Sequence, residues 1–217
     1  MRSIADQFHR QYYESGIWRN TFWLGVAARK CPLDLWIYQE ILFETRPEVI
    51  IESGTESGGS ALFLASVCDL IGEGKVITID LQDNPLRPKH PRITYVFGSS
   101  VAPETIDLVK KSVELQTRVM VILDSDHGKD HVLNELRAYA DLVTPGSYLI
   151  VEDTNVNNHP VAEDFGPGPM EAVEEFLGTR DDFVVDRERE KFFLTFNPKG
   201  YLLCVGSRSE TFATSDE

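Results

Sequence analysis

One stretch limits this chain more than any other: Val49-Ile-Ile-Glu-Ser-Gly-Thr-Glu-Ser-Gly-Gly-Ser60, an apolar run that ends in an acid and breaks into glycines. The branched residues Val49–Ile51 suit a short strand buried on both faces. Gly54 to Gly59 then reads as a turn, and a helix from about Ser60 aims its free backbone N–H groups at whatever lies above the sheet edge. One helix later, Lys75-Val-Ile-Thr-Ile-Asp80 supplies a second strand that also ends in a carboxylate. Strand, glycine turn, helix, strand, acid is the plan of a nucleotide-binding βαβ unit.

The glycine spacing narrows the ligand. A dinucleotide fingerprint reads G-x-G-x-x-G, whereas here Glu52-x-Gly54 is followed by Gly58-Gly59, which disfavours an NAD-linked reductase. A wider turn with an acid just before it suits S-adenosylmethionine, which has no pyrophosphate to cradle. That cofactor carries a sulfonium and an α-amino group, for which Glu52 is the expected acceptor. Its ribose diol can be gripped by a strand-end carboxylate, here Asp80. Without a ligand, the same residues would make a plain glycine-rich strand–helix turn.

The 217 residues suit one domain with a sizeable core. A net charge of −14 and the lack of a basic stripe argue against nucleic acid and against anionic membranes. Cys31, Cys68 and Cys204 are odd in number and widely spaced, which reads as buried thiols in a reducing compartment rather than a disulfide framework. The start, Met1-Arg-Ser-Ile-Ala-Asp-Gln-Phe-His9, lacks an apolar leader, and no stretch approaches 18 apolar residues. A cytoplasmic protein is expected.

Residues 1–45 read as a helical segment rich in aromatics, from Phe8, Tyr12 and Tyr13 to Trp36 and Tyr38. They suit core packing, an oligomer contact or a cap over a ligand pocket. From Pro47 the pattern alternates. Strands are expected at 48–52, 75–80, 92–97, 118–124 and 147–152, with helices near 59–72, 101–115 and 129–142. The expected fold is α/β, a Rossmann-like, mostly parallel doubly wound sheet spanning 46–206. A long polar loop at 154–169 reads as functional. A helix near 169–178 and strands at 182–187, 191–196 and 201–205 follow, then a polar tail from 207.

A second chemical centre lies at the ends of two more strands. Val119-Met-Val-Ile-Leu-Asp-Ser-Asp-His127 delivers Asp124 and Asp126, and Ser147-Tyr-Leu-Ile-Val-Glu-Asp153 delivers Glu152 and Asp153. In a parallel sheet these carboxylates converge, repel and are costly to bury unpaired. A hard divalent cation resolves both problems, and an all-oxygen set suits Mg²⁺. The expected ligands are Glu152, Asp153 and one of Asp124 or Asp126. His127 suits a general base near neutral pH, with Lys129 as the other candidate. His127 and His131 are four apart but lack the Glu of a zinc-protease helix, and neither a serine elbow nor a P-loop is present.

Trp23-Leu-Gly25, Pro32-Leu-Asp-Leu-Trp-Ile-Tyr-Gln-Glu40, Arg46 to Ser60, Leu123-Asp-Ser-Asp-His127 and Val143-Thr-Pro-Gly-Ser-Tyr-Leu-Ile-Val-Glu-Asp153 together resemble the cephalosporin hydroxylase/rhamnosyl O-methyltransferase family. The resemblance runs from about residue 18 to 205. It implies a class I methyltransferase fold, S-adenosylmethionine, a divalent metal and homo-oligomers. It also implies that Glu52, Gly54, Ser57, Gly58 and Ser60 line the cofactor's methionine end, that Asp80 holds the ribose, and that Ser99 or Ser100 flanks adenine. Thr55, Gln82, Asp124 and His127 complete the candidate cofactor contacts.

The expected activity is Mg-dependent O-methylation of a hydroxyl on a small molecule such as a sugar or natural-product diol. Oxygenation, which half of the family name suggests, is disfavoured because non-haem iron sites prefer two histidines and one carboxylate. A non-catalytic cofactor-binding assembly subunit is the reading from another class. Tight cofactor binding without transfer to a diol panel would distinguish it.

Overall fold

The computed structural model describes residues 3–113 and 117–206. The tail from 207 and the last residues of the helix expected at 101–115 lie outside the described residues. Helix α1 (Ile4–Glu14) starts at a capping box, in which Ser3 and Asp6 exchange side-chain-to-backbone hydrogen bonds of 3.0 Å. The expectation of helix throughout 1–45 is then corrected, because strands β1 (Phe22–Trp23) and β2 (Val26–Ala27) form a hairpin before α2 (Pro32–Thr45). Leu24 and Gly25 both have positive φ, 47° and 84°, the backbone that a two-residue hairpin turn requires.

From there strands and helices alternate: β3 (Val49–Ser53), α3 (Gly59–Ile71), β4 (Lys75–Asp80), β5 (Ile93–Phe97), α4 (Pro103–Ser112), β6 (Val119–Leu123), α5 (Lys129–Tyr139), β7 (Tyr148–Val151), α6 (Pro169–Leu177), β8 (Phe183–Val185) and β9 (Tyr201–Cys204). Among the described residues, β3 to β9 form one seven-stranded sheet in the order β5-β4-β3-β6-β7-β9-β8. The pairings from β5 through β7 are parallel; those of β9 with β7 and β8 are antiparallel. The mostly parallel sheet expected from sequence is therefore present. No described helix is long and apolar enough to cross a membrane.

The central strands read as unbroken apolar runs because both faces of the sheet are covered. Val49 and Ile51 of β3 pack with Val132, Leu136, Val173 and Phe176 from α5 and α6. Ile50, between them, joins Ile37, Ile41, Phe63 and Leu64 from α2 and α3 on the opposite face. Helix α2 thus belongs to the same core as the sheet.

The strand expected at 191–196 does not form. Phe193 has φ 63° and Lys199 φ 60°, and the chain between them bonds to side chains and loops instead of a neighbouring strand. The Phe196 N–H donates to Asp34 Oδ2 at 2.8 Å, and the Phe196 carbonyl accepts from the Asn155 N–H at 3.1 Å. The Phe196 ring anchors the N-terminal aromatics: His9 stacks on it at 5.7 Å and 2°, and Tyr13 and Trp18 meet it edge-on. Core packing is thus one use of these residues.

His9 is 5% exposed and lies 2.9 Å from Asn155 Nδ2 through its Nε2. Burial holds its imidazole down at about 4, so the unfolded chain takes up the proton first. The stability that neutral His9 contributes is complete above about pH 6.5 and is lost as pH falls towards 4. Urea denaturation of wild type should therefore lose about 1–2 kcal/mol more between pH 7 and pH 5 than that of His9→Gln. Parallel pH profiles for the two proteins would rule this out.

Candidate cofactor and metal site

Strand order reverses between β3 and β6, which lead away to opposite sides of the sheet. Ligands of open α/β sheets bind outside the carboxyl ends of strands at such a switch point. A cavity of about 470 Å³ opens there, lined by the turns after β3, β4, β5 and β6. Gly54 makes the junction possible. It has φ +88°, and a Cβ on it would stand 1.8 Å from the Asp124 carbonyl oxygen. At Gly59, the start of α3, a Cβ would stand 2.2 Å from the Ala27 carbonyl. This close approach brings the hairpin over the cavity, where Ala27, Ala28 and Arg29 join the lining.

Of the cofactor contacts expected from sequence, Gly54, Thr55, Ser60, Asp80, Ser99, Ser100, Asp124 and His127 line this cavity, whereas Glu52, Ser57, Gly58 and Gln82 do not. Glu52 is the clearest departure. It is 1% exposed, and its Oε2 accepts from the Thr78 hydroxyl at 2.6 Å, which pairs in turn with Thr55 at 2.6 Å. A residue at a strand's buried end braces the floor below the cavity rather than its wall. Asp80 stands at the edge expected of it. Its carboxylate accepts from the Glu56 and Gln82 backbone N–H groups at 2.7 and 2.9 Å and pairs with Arg87 at 2.8 Å.

The acidic centre assembles differently from the expected set. Asp124, His127 and Asp153 each offer a ligand atom, all within 4.8 Å of one another, and His127 Nε2 stands 3.1 Å from Asp153 Oδ2. Asp126 also lines the cavity, but its Oδ1 accepts the Gly128 N–H at 2.7 Å. Glu152 lies beneath, 5% exposed, with its Oε1 2.5 Å from the ammonium of Lys30, which also contacts Asp124 Oδ2. Burial, and then the charge of Asp124, pushes the Glu152 carboxyl up to about 7. Burial likewise raises the Asp124 carboxyl, against the pull of Lys30. Lys129, the second candidate base, is corrected: it is absent from the cavity lining and pairs with Glu175 at 2.8 Å.

Sequence reasoning missed Lys30 and His131. Lys30 follows the hairpin in a stretch without a motif, and its partner Asp124 is 94 residues away. His131 lines the cavity. Its Nε2 lies 3.0 Å from Ser125 Oγ and 3.2 Å from Ser100 Oγ, and Ser125 donates at 2.7 Å to Glu135, which is fully buried. The Glu135 carboxylate, 3.6 Å from that nitrogen, raises the affinity of His131 for its proton. The four-residue spacing of the two histidines was visible in the sequence, but the serines that complete this network were not visible as partners. Trp18 lines the cavity too.

These residues fit the groups that such a fold takes. The lining carries the carboxylates of Glu56, Asp80, Asp124, Asp126 and Asp153 against the single guanidinium of Arg29, an environment suited to a cationic sulfonium and ammonium. The volume lies in the range of small-molecule sites. Carboxylate oxygens converging from Asp124 and Asp153 are hard donors that match Mg²⁺ or Mn²⁺. One histidine and two carboxylates is also the inverse of the set that oxygenase iron prefers.

Doubly wound sheet, glycine turn, strand-end acid and acidic cleft define a class I methyltransferase. The family model described as "Rhamnosyl O-methyltransferase/CmcI" matches residues 15–205. Rhamnosyl O-methyltransferase of Mycobacterium leprae is 41% identical over 210 residues, covering 93% of this chain and 90% of the relative. That of Mycobacterium bovis is 39% identical over 208 residues, covering 93% and 85%. The solved CmcI with Mg and SAM has a TM-score of 0.67 at 23% identity, covering 87% of this chain and 78% of its own. The chain belongs to the rhamnosyl O-methyltransferase/CmcI family and is an S-adenosylmethionine-dependent O-methyltransferase.

Gly54 offers a direct test of the switch-point geometry. Gly54→Ala meets both the 1.8 Å clash and a strained φ, so it should cost about 3 kcal/mol of unfolding free energy and weaken S-adenosylhomocysteine binding. Urea denaturation and calorimetry read the two effects. A variant as stable as wild type, with unchanged affinity, would show that β3 and β6 need not approach so closely.

Proposed function

We propose that this chain transfers a methyl group from S-adenosylmethionine to a hydroxyl of a small molecule bearing neighbouring oxygens, such as a sugar or natural-product diol, with help from a divalent cation. One observation carries the reading: Asp124, His127 and Asp153 meet in the wall of an acidic cavity at the sheet's switch point. The 41% and 39% identical relatives named rhamnosyl O-methyltransferase support a sugar hydroxyl as the acceptor class.

Asp80 would hold the ribose, and the turn after β5, with Ser99 and Ser100, would border the purine. Asp124 and Asp153 would hold the cation. Bound together, cofactor and cation supply an electrophilic methyl and a positive charge that eases deprotonation of a nearby hydroxyl. His127 is the proton acceptor. Its Nε2 stands 3.1 Å from the Asp153 carboxylate. Asp153 thus orients the ring and offsets the charge it gains. Trp18 and the hairpin exclude water, and the rigid strand ends align the reacting groups, a contribution worth up to roughly 7–11 kcal/mol.

Three free, buried cysteines support a reducing compartment, the cytoplasm. Exposed Ile4 and Phe8 on α1 and Trp36 and Phe43 on α2 would suit contacts between copies of the chain.

Asp124→Asn and Asp153→Asn should each lower methyl transfer to a diol panel by about a hundredfold or more, with S-adenosylhomocysteine affinity changed only a few-fold. His127→Gln should lower turnover by about a hundredfold or more. Labelled-methyl transfer with and without chelator measures this. Full turnover by the Asp variants in chelator would remove the metal from the mechanism. Tight cofactor binding by wild type without transfer to any diol would instead favour a binding subunit.

A further inference from the structure

Lys30 is built into the site with care. Its backbone is bracketed by Thr21, whose hydroxyl accepts the Lys30 N–H at 3.0 Å and donates to the Lys30 carbonyl at 3.1 Å. The preceding Arg29 has φ 51°, a left-handed conformation that costs a non-glycine residue energy and persists only where its surroundings enforce it. The kink leaves Arg29 in the cavity lining and Lys30 4% exposed. There the ammonium touches Asp124 and stands 2.5 Å from Glu152. Burial works against its charge, but the carboxylates of Asp124, Glu152 and Glu52 outweigh that effect and keep it protonated.

Asp124 is therefore claimed from two sides, by Lys30 and by the cluster it shares with His127 and Asp153. Lys30 thus offsets part of the negative charge that Asp124, Glu152 and Asp153 gather at this edge of the sheet. Without the lysine, the same carboxylates would repel one another more strongly and attract a cation more strongly.

We propose that Lys30 is a resident counter-ion that sets the affinity of the Asp124 and Asp153 carboxylates for a divalent cation, holding the carboxylates together before the ion arrives and keeping its binding weak enough to exchange. This rests on the metal-assisted reading above. It makes Lys30 a positioning residue, acting through Asp124 and Glu152.

The test is a Mg²⁺ titration of the full chain by calorimetry at pH 8, with melting temperatures in EDTA and in MgCl₂. Lys30→Met should bind Mg²⁺ about tenfold or more tightly than wild type, since even a moderately screened charge a few ångströms away exceeds that factor. It should also melt lower in EDTA and gain more from MgCl₂ than wild type does. Lys30→Arg, which keeps the charge, should stay within a few-fold of wild type. If Lys30→Met folds only with Mg²⁺ present, the counter-ion role is supported. Glu152→Gln keeps the lysine, removes a carboxylate and should bind Mg²⁺ about tenfold more weakly, which gives a reading even if Lys30→Met does not fold. Equal or weaker Mg²⁺ binding by folded Lys30→Met, or unchanged binding by Glu152→Gln, would overturn the proposal. No Mg²⁺ binding by wild type would overturn both it and the metal reading, while S-adenosylhomocysteine heat in the same sample would leave cofactor binding intact.

Discussion

A single ammonium buried between two strand-end carboxylates governs the geometry of this protein's centre. Charges taken out of water are tolerated only when paired, and Lys30 supplies the pairing for Asp124 and Glu152. This contact ties the segment after the hairpin to the ends of β6 and β7, and so closes the cavity on its N-terminal side. Ala27 of the hairpin, which lies close against Gly59, and Trp18 line the same cavity.

The cavity is electrostatically one-sided. A chain with a net charge of −14 has gathered carboxylates at the turns after β3, β4, β6 and β7 and left one arginine among them. Such a surface attracts cationic ligands and repels anionic ones. A donor with a sulfonium centre suits it; a pyrophosphate cofactor does not. Ser125, bonded to the buried Glu135, and His131 beside it add a polar wall to the cavity.

The sheet and the neighbourhood of the site were legible in the sequence because both follow from local pattern. Runs such as Val119–Leu123 are apolar throughout only when both faces are covered, and the acids that follow them must then lie at one edge. Which acids face the cavity was not legible. Glu52 and Glu152 look alike as strand-end carboxylates, yet each is drawn beneath the surface by a distant partner, Thr78 for one and Lys30 for the other. The hairpin was hidden by its brevity, since strands of two residues carry no periodicity. The alternation at 191–196 failed as a strand because Asp34 and Asn155 took the backbone groups that a neighbouring strand would have needed.

The centre draws Lys30, Asp124 and Asp153 from three separate parts of the chain, and no two of them are joined by a local turn. A nascent or partly folded molecule cannot present half of this arrangement, because the pieces meet only once the ladders from β3 to β7 have zipped together. Topologies rich in such remote pairings form slowly, so ligand capture should report completion of the whole fold. In a growing cell, the donor molecule would then act as a thermodynamic latch on finished copies, leaving unfinished ones unprotected.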